Sequence, residues 1–325
     1  MKAIVATAPG GPEVLAYTDV PEPVAGQGDV IVQTIAAGVN FIDTYRRSGV
    51  YPMDYPHVVG VEGAGTVVAA GPHAQAKVGD VVAWANAAGS YAEFVRVGAQ
   101  DVLPVPAGLD PLVAAALPLQ GMTAHYLCRS THAIVPGDVA LVHAAAGGVG
   151  GLLTQLIVAH GGRVIATAGT SEKAALASGY GASDVIVYTE LDDLTRDLPA
   201  AVRALVPGGV DVVYDGVGWA TFDASLASLR PRGLMVLFGG ASGQVPPFDL
   251  QRLNSSGSLF ITRPTLAHHT LTRDETLWRA REIFEAAADG TLRVPIGLEV
   301  AMAEASEAHR ALEGRRTTGK VVLLA

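Results

Sequence analysis

The chain has 325 residues, of which 50% are hydrophobic and 16% charged, and its formal net charge is −9. This length is enough for a large core and favours two domains. Because it has no block of basic residues, the chain lacks the charge pattern of proteins that bind nucleic acid or anionic membranes. The single cysteine, Cys128, excludes an internal disulfide and any metal site built on several thiolates.

The first hundred residues predict a compact, barrel-like β domain. Short runs of strand type alternate with Gly, Pro and Asp, a spacing typical of all-β units. The apolar start of the chain is interrupted by Pro9-Gly10-Gly11-Pro12 too early for a signal peptide, so we expect a cytoplasmic protein. The predicted strands are Lys2–Thr7, Val30–Ala36, Gly65–Ala70, Asp80–Ala85 and Tyr91–Val97.

One short helix interrupts these strands and is rich in polar side chains. The sequence predicts a helix from Phe41 to Arg47, with Asn40 as its N-cap and Gly49 as its stop. About two turns of chain gather more hydrogen-bonding side chains than a purely structural helix needs. They are Asn40, Asp43, Tyr45, Arg46 and, just beyond the helix, Tyr51.

The stretch from Val139 to Val158 predicts a dinucleotide site built on a strand, a glycine turn and a helix. It opens with a short apolar run of strand type, and its apolar spacing becomes helical from Leu152 onward. The glycines at 147, 148, 150 and 151 would let the backbone turn sharply and approach a ligand closely. A helix that opens directly after them directs unpaired N–H groups at a pyrophosphate. A second strand, Arg163–Ala168, completes the βαβ unit that this interpretation requires.

From residue 139 to about 265, strands alternate with helices, which predicts a doubly wound parallel sheet of the Rossmann type. The C-terminal tail ends in a strand-like run, Gly319–Leu324, that suits a return to the N-terminal domain. We therefore expect one domain of residues 1–124, completed by 266–325, and a cofactor-binding domain of residues 125–265. The predicted strands of the sheet are Leu141–Ala145, Val164–Ala168, Asp184–Tyr188, Val210–Asp215, Leu234–Gly239 and Ser258–Thr262.

The segment after the second of these strands indicates NADPH rather than NADH. In this fold, NADH is held by an acidic residue about twenty residues past the glycines, which binds the ribose 2′-hydroxyl. Here nothing acidic follows Ala168 at the strand end, and Lys173 offers a positive charge to a 2′-phosphate. Glu172 is the competing observation, and we interpret it as a residue placed favourably in the dipole of the next helix. A charge-assisted hydrogen bond contributes roughly 1.5–3 kcal/mol, which is enough to set the preference.

The sequence shows no pattern typical of a metal site or of a protein nucleophile. The nine histidines are scattered, and the adjacent His268 and His269 would point apart on a helix or a strand. No Gly-x-Ser-x-Gly elbow is present. Glu62 stands among glycines in the run 60–65, and we interpret it as an anchor for a turn. With metal and nucleophile patterns set aside, the chemistry that the sequence favours is hydride donation by a reduced nicotinamide, which requires no strongly acidic side chain.

Seven segments spread along nearly the whole chain form a recognisable set: Gly10–Leu15, Gly38–Tyr45, Arg47–Pro52, His143–Gly150, Arg232–Gly239, Ile261–Pro264 and Thr318–Lys320. In these segments the chain resembles the zinc-free NADPH:quinone oxidoreductases, relatives of zeta-crystallin in the medium-chain dehydrogenase/reductase superfamily. The zinc-binding alcohol dehydrogenases carry a cysteine where Asn40 stands, and a Gly-His-Glu where Gly60-Val61-Glu62 stands. The resemblance therefore implies a GroES-like β-barrel domain joined to a Rossmann domain, with no metal.

The resemblance also implies roles for individual residues. Asn40, Tyr45 and Tyr51 match residues at the nicotinamide end, where they would orient ring and acceptor, and they are the predicted catalytic residues. Some bacterial relatives carry a lysine where Gln120 stands, so no role is drawn from it. The predicted cofactor contacts are Asn40, Tyr45, Thr123, Ala146, Gly147, Gly148, Val149, Gly169, Lys173, Tyr188, Phe238, Gly239, Thr262, Arg263, Gly319 and Lys320.

The expected activity is NADPH-dependent hydride transfer to quinones or related conjugated carbonyls, in a cleft between the domains. One alternative is an alkenal or enoyl-thioester double-bond reductase. A thioester of CoA would need a basic entrance, for which Arg46 and Arg47 are the local candidates, although a solvated helix face is the favoured interpretation of that pair. Another alternative is a sensor or RNA-binding protein that holds NADPH without turnover, and the net charge counts against RNA. The resemblance further implies a homodimer formed through edge strands of the Rossmann sheet, with Leu234–Phe238 and Ser258–Thr262 as the candidates.

Overall fold

The computed structural model describes all residues, 1–325, and the chain divides into two compact units. The first unit comprises Met1–Met122 and Thr270–Ala325, and the second comprises Thr123–His269. The limits predicted from the sequence, 1–124 with 266–325 and 125–265, place the first break two residues later and the second break four residues earlier than these bounds. None of the helices combines the length and the apolar character that a membrane-spanning segment needs.

Sixteen strands and ten α-helices make up the two units. The strands are β1 (Lys2–Ala6), β2 (Leu15–Asp19), β3 (Val30–Val39), β4 (His57–Val58), β5 (Glu62–Ala70), β6 (Val81–Trp84), β7 (Phe94–Val97), β8 (Leu103–Pro104), β9 (Val139–Val142), β10 (Arg163–Ala168), β11 (Asp184–Val187), β12 (Val210–Asp215), β13 (Leu229–Leu237), β14 (Phe260–Thr262), β15 (Ile296–Ala301) and β16 (Lys320–Leu324). The helices are α1 (Phe41–Ser48), α2 (Pro111–Ala116), α3 (Pro118–Tyr126), α4 (Gly148–Ala159), α5 (Ser171–Gly179), α6 (Leu194–Leu205), α7 (Phe222–Ser228), α8 (Gln251–Ser255), α9 (Arg273–Ala288) and α10 (Ala305–Glu313).

The first unit is built on two β-sheets. β1 pairs with β2 and β4, and a seven-stranded sheet follows the order β15-β16-β3-β5-β6-β8, with β7 also paired to β3. β3 runs three residues past its predicted end at Ala36, because Ala37, Gly38 and Val39 continue the buried pairing with β5 and β16. The C-terminal strand β16 is antiparallel to β3, so the tail completes the N-terminal sheet.

The second unit is a parallel sheet of six strands in the order β11-β10-β9-β12-β13-β14. The prediction of a doubly wound Rossmann sheet is therefore confirmed. The strands bury nearly continuous apolar runs, as strands covered by helices on both faces require. The strand order reverses between β9 and β12, and the crevice outside the carboxyl ends at such a point is where ligands bind in this fold.

One strand that was predicted to lie at the edge of this sheet lies inside it. Residues 234–237 belong to β13, which lies between β12 and β14 because Met235 is paired with Val213 on one side and with Ile261 on the other. The prediction that Leu234–Phe238 is an edge strand is therefore wrong. β14, which falls within the predicted segment Ser258–Thr262, does lie at the edge.

Candidate active site

The predicted cofactor residues that follow strands of the second unit lie at one edge of its sheet. Because the six strands are parallel, their carboxyl ends meet at the same side. The loops there place the predicted residues as follows: Ala146–Val149 after β9, Gly169 and Lys173 after β10, Tyr188 after β11, Phe238 and Gly239 after β13, and Thr262 and Arg263 at the end of β14.

The loop after β9 turns on an alanine rather than on a glycine. Ala144 has the left-handed backbone conformation, with φ of 51°, whereas none of the four glycines of the loop has a positive φ. Glycine is needed for close packing instead, since a Cβ on Gly150 would lie 2.4 Å from the Ala144 carbonyl oxygen. A Cβ on Gly151 would lie 2.9 Å from the ring of Tyr180. The prediction that these glycines make the turn is corrected: they let helix α4 begin directly against the strand, with its first N–H groups open to a ligand.

The loop after β10 carries a half-buried lysine and no carboxylate directly at the strand end. Thr170 caps α5 by accepting a hydrogen bond from the Lys173 backbone N–H at 3.3 Å. The Glu172 backbone N–H and the Thr170 hydroxyl lower the pKa of the Glu172 carboxyl, which stands in the first turn of α5. Gly169 lies against Tyr188, whose hydroxyl would be 2.6 Å from a Cβ at that glycine. The carboxylate that competed with the NADPH interpretation is thus engaged at the start of its own helix.

A buried polar network underlies this edge, and sequence reasoning missed it. The Asp215 carboxylate accepts the hydroxyls of Thr221 and Ser225, each at 2.7 Å, and two backbone N–H groups of the turn after β12. His143 lies 2.9 Å from Ser225 Oγ and 3.0 Å from Thr167 Oγ1. Since Ser225 donates its proton to Asp215, His143 donates from Nε2 and accepts from Thr167 at Nδ1. Burial lowers the pKa of this imidazole, which agrees with a neutral ring.

The turns after β12 and β13 pack closely against each other. A Cβ at Gly216 would lie 2.8 Å from the Phe238 ring, and one at Gly239 would lie 2.4 Å from the Gly216 carbonyl oxygen. Phe238 and Gly239 are half-buried, as is Thr262, whereas Arg263 is exposed. The Asp215 network and these contacts together fix the backbone at the middle of the sheet edge.

In the first unit, α1 begins at Phe41 as the sequence predicts and ends at Ser48, one residue beyond the predicted Arg47. Asn40 is its N-cap residue, and Gly49 ends it in the left-handed conformation with φ of 80°. The Asp43 carboxylate accepts the Asn40 backbone N–H at 2.9 Å, while the Asn40 side chain turns away from the helix. Tyr45 and Tyr51 are half-buried neighbours whose rings meet edge to face, with centroids 5.5 Å apart. The structure thus brings these two predicted catalytic phenols together.

Arg47 is part of the core and forms no basic entrance. Its side chain is 2% exposed and donates to Glu313 at 2.6 Å and to the Gly10 carbonyl oxygen at 3.0 Å. It also donates to Nδ1 of His309 at 2.9 Å. Both sequence-based interpretations of Arg47, as a solvated face and as a site for a CoA thioester, are therefore wrong. The sequence reports charge, and only the packing of α1 against α10 shows that the charge is internal.

His309 and Asp43 are buried titratable groups joined through Tyr91. Tyr91 donates its hydroxyl to Asp43 at 2.9 Å and lies 3.4 Å from Nε2 of His309. Burial raises the pKa of Asp43 to about 6, although hydrogen bonds from Asn40 and Tyr91 oppose the rise. Burial, aided by the charge of Arg47, lowers the pKa of His309 to about 3. The histidine is therefore neutral at physiological pH.

The Asn40 side chain belongs to a second buried network, formed with Glu62 and Lys320. These three residues are at most 3% exposed. Lys320 Nζ lies 2.5 Å from Glu62 Oε2 and 2.7 Å from Asn40 Oδ1, and Asn40 Nδ2 donates to Glu62 at 2.7 Å. Glu62 also accepts the backbone N–H of Leu119, in the first turn of α3, at 2.6 Å. Glu62 thus anchors a network of distant segments rather than a turn.

Two further predicted residues lie close to members of this network along the chain. Thr123 is buried on α3, one turn beyond the residue that Glu62 holds. Gly319, directly before Lys320, has φ of 67°, and a Cβ there would lie 2.3 Å from the Pro295 carbonyl oxygen. Glycine at 319 therefore lets β16 begin at Lys320, with the ammonium group of that lysine beside Glu62.

The donor set at the Asn40–Glu62 positions does not fit zinc. Structural and catalytic zinc sites use thiolate, imidazole and carboxylate ligands. Here an amide and one carboxylate stand together, and the carboxylate is already held by the Lys320 ammonium group. Asn40 and Glu62 instead bind the ammonium group of Lys320.

Family models and relatives agree with the two-unit description. Residues 26–107 match the alcohol dehydrogenase GroES-like domain, and residues 180–323 match a model described as zinc-binding dehydrogenase. A quinone oxidoreductase of Pseudomonas aeruginosa is 42% identical, over 99% of each chain. A 2-haloacrylate reductase of a Burkholderia species is 38% identical, over 97% of this chain and 96% of its own. A mycobacterial protein solved in complex with NADPH is 49% identical, with a TM-score of 0.96 over the full length of both chains.

A GroES-like β domain combined with a Rossmann domain defines a medium-chain dehydrogenase/reductase. Within that superfamily, the identity and coverage are high along the entire chain. The chain belongs to the quinone oxidoreductase family.

Proposed function

We propose that the protein is an NADPH-dependent reductase that transfers hydride to quinones or related conjugated carbonyls. The observation that carries this proposal is the carboxyl end of the parallel sheet in the second unit, where the open start of α4 follows β9 and Lys173, at the start of α5, follows the neighbouring strand β10. Membership of the quinone oxidoreductase family supports the acceptor class. We assign cofactor binding to the second unit and acceptor binding to the first.

The loop 146–149 and the start of α4 suit a pyrophosphate. The first N–H groups of a helix have no partner within the helix, and the helix dipole favours an anion there. Gly150 supports the fit, because the strand and helix approach so closely at this residue that a Cβ would meet the backbone. Ala146, Gly147, Gly148 and Val149 would hold the pyrophosphate mainly through their backbones.

The start of α5 suits a 2′-phosphate. Lys173 provides a cation, and Thr170 and Ser171 provide hydroxyl groups on an exposed loop. Glu172 stands in the first turn of α5 rather than at the end of strand β10, where a ribose-binding carboxylate would lie. Tyr188 and Gly169 would line the adenine side.

When bound, the reduced nicotinamide supplies a hydride, which is a proton with two electrons. The chain's task is to position the acceptor and to stabilise the charge that its oxygen gains. Tyr45 and Tyr51 are the half-buried phenols of the first unit that can orient the acceptor. Asn40 is satisfied within its own network, so we assign it a positioning role. A proton from water completes the hydroquinone after hydride transfer.

Steady-state oxidation of NADPH and NADH with 1,4-benzoquinone tests the proposal. We expect activity with both cofactors and a clear preference for NADPH in kcat/KM. Lys173→Ala should lower the NADPH preference by about ten- to a hundredfold, the worth of one charge-assisted hydrogen bond. Lys77→Ala, which removes a lysine from an exposed turn of the first unit, is the matched control. An unchanged preference in Lys173→Ala would overturn the cofactor assignment.

A double-bond reductase is the second candidate, and the 2-haloacrylate reductase among the relatives favours it. A panel of quinone, 2-alkenal, 2-haloacrylate and enoyl-CoA with NADPH separates the two. Because Arg47 is buried against Glu313, the basic entrance predicted for a CoA thioester loses half of its arginine pair. We expect the enoyl-CoA to be the poorest substrate of the panel. NADPH binding without turnover on any of these compounds would support the alternative of a binding protein.

The assembly and location of the protein stay predictions. We propose a homodimer through β14, which is the edge strand of the six-stranded sheet and carries Phe260 with 61% of its surface exposed. Light scattering on wild type and on Phe260→Asp measures this, and two identical monomeric masses would contradict it. We propose a cytoplasmic location, which cell fractionation measures.

A further inference from the structure

Gln120 is the point at which the Asn40–Glu62–Lys320 network reaches the surface. Its Nε2 lies 3.4 Å from Asn40 Oδ1, and its side chain is half-buried whereas the three others are buried. It stands in the first turn of α3, next to Leu119, whose backbone N–H donates to Glu62. Two contacts with the network, one through backbone and one through side chain, therefore hold this turn.

The network fixes which way the Asn40 amide faces. Lys320 is only a donor, so the Asn40 atom 2.7 Å from its ammonium group must be the oxygen. Glu62 is only an acceptor when ionised, so the Asn40 atom 2.7 Å from its carboxylate must be the nitrogen. The second N–H of that nitrogen points to the Gly38 carbonyl oxygen at 3.3 Å. Both N–H groups of the Asn40 amide are thereby used, and one acceptor position of its oxygen is left for Gln120.

The orientation of Asn40 in turn sets that of Gln120. A flipped Gln120 amide would place its oxygen against the oxygen of Asn40, which repels it, so Nε2 must face Asn40. The second N–H of Nε2 and the oxygen Oε1 make no hydrogen bond within the chain. The ion pair Glu62–Lys320 thus presents a neutral amide, oriented through Asn40, on a half-buried face of the first unit.

We propose that Gln120 donates this second N–H to the carbonyl oxygen of the hydride acceptor, and that Asn40, Glu62 and Lys320 are positioning residues for it. This inference rests on the proposed function. As the two electrons of the hydride arrive, negative charge grows on the acceptor oxygen, and a preoriented donor stabilises that charge more than it stabilises the neutral carbonyl. Gln120 keeps its protons throughout, and water supplies the proton of the hydroquinone.

The backbone supports the placement of the ion pair. A Cβ at Gly38 would lie 2.2 Å from Glu62 Oε2 and 2.8 Å from Lys320 Cε, so only glycine leaves room for the pair at that point of β3. β16 brings Lys320 beside this strand, because its second residue, Val321, pairs with Val39. Strands β3, β5 and β16 and helix α3 therefore meet at the Asn40 amide.

Gln120→Leu tests the proposal directly and keeps the size of a half-buried side chain. We expect kcat/KM for 1,4-benzoquinone to fall by about ten- to a hundredfold, with the Kd for NADPH and the thermal midpoint unchanged. Gln120→Glu should lose more, because a carboxylate repels the developing charge. Gln251→Leu, at the exposed start of α8, is the matched control and should match wild type.

A series of substituted quinones gives a readout that a merely structural role would not move. Electron-poor quinones place less negative charge on the reacting oxygen, so the loss in Gln120→Leu should shrink along the series. The double variant Glu62→Gln with Lys320→Met removes both charges together and frees the Asn40 amide to turn. We expect it to fold and to show a smaller loss of the same kind, with the same dependence on the quinone.

The outcomes separate this inference from the proposed function. If wild type oxidises NADPH with no acceptor of the panel, the proposed function fails. If wild type is active and Gln120→Leu equals it on every quinone, the proposed function stands and the role of Gln120 is overturned. If Gln120→Leu weakens NADPH binding while kcat stays the same, the residue serves the cofactor, which also overturns the role.

Discussion

Gly150→Ala is the most direct test of the proposed pyrophosphate site at the start of α4. The new methyl group would lie 2.4 Å from the Ala144 carbonyl oxygen and 2.9 Å from the Ala145 Cα. Both neighbours are backbone atoms, so ordinary contact at about 3.4 Å requires a shift of about 1 Å in the loop or in the helix start. Overpacking of this kind costs about 1–3 kcal/mol. If the loop after β9 keeps its conformation, this cost lowers the free energy of unfolding of the protein. If the loop shifts, the cost appears as weaker binding of NADPH.

Fluorescence titration with NADPH and urea unfolding measure the two parts of this cost together. A rise of Kd by about five- to 150-fold, or an equivalent fall in the free energy of unfolding, is expected from 1–3 kcal/mol. Gly208→Ala is the control in the same unit, because a Cβ there meets nothing within 4 Å and its φ is not left-handed. Wild-type affinity together with wild-type stability in Gly150→Ala would refute the close-packing explanation of this glycine.

Three further predictions concern the first unit. Tyr45→Phe and Tyr51→Phe should each lower turnover several-fold without changing the thermal midpoint, and wild-type rates on quinones and enones would remove both phenols from the mechanism. Arg47→Met should lower the free energy of unfolding by about 3 kcal/mol in urea titrations, because the bonds to Glu313 and His309 are lost together; an unchanged value would contradict a structural role. His309 has a folded-state pKa of about 3 against an ordinary value of 6.5, so its contribution is full above pH 6.5 and is lost as the pH falls toward 3, by at most about 1.4 kcal/mol per pH unit. His309→Gln lacks this slope, so the difference in the free energy of unfolding between the two proteins should rise with pH between about 3 and 6.5, and an identical pH dependence in both proteins would refute it.

The pH prediction compares two proteins because Asp43 opposes His309. The raised pKa of Asp43 means that the folded protein keeps a proton there up to about pH 6, whereas the unfolded chain loses it near 3.8. Stability from this group therefore falls as the pH rises from about 4 to 6, opposite to the effect of His309. The two slopes partly cancel in wild type, and the difference between wild type and His309→Gln isolates the histidine.

The parallel sheet was predictable because its signals are local. Each strand is a short apolar run followed by a turn and a helical period, and the glycine loop identifies the first strand of the set. The position of a strand within the sheet is not local, which explains why Leu234–Phe238 was mistaken for an edge. Only the pairing of β13 with β14 shows that a further strand covers it.

The buried networks were not predictable from the sequence, because their members are far apart along the chain. Glu62 and Lys320 are separated by 258 positions, and Asp215 and His143 are joined only through the Ser225 hydroxyl. One signal was available: a lysine in an apolar terminal strand, in a chain with four lysines, needs a carboxylate partner. Glu62, placed among glycines and valines, was the natural candidate.

Asn40 is the point where the two polar networks of the first unit meet. Its side chain is held by Glu62 and Lys320, and its backbone N–H is held by Asp43, which Tyr91 links to His309. An amide with all its positions used is a poor direct ligand for substrate but a stiff connection between elements. The resemblance to the family implied a catalytic role for Asn40, and our proposal makes it instead the residue that holds the neighbouring amide of Gln120 in place. Substitutions at His309 and at Lys320, one in each network, should therefore couple non-additively through Asn40.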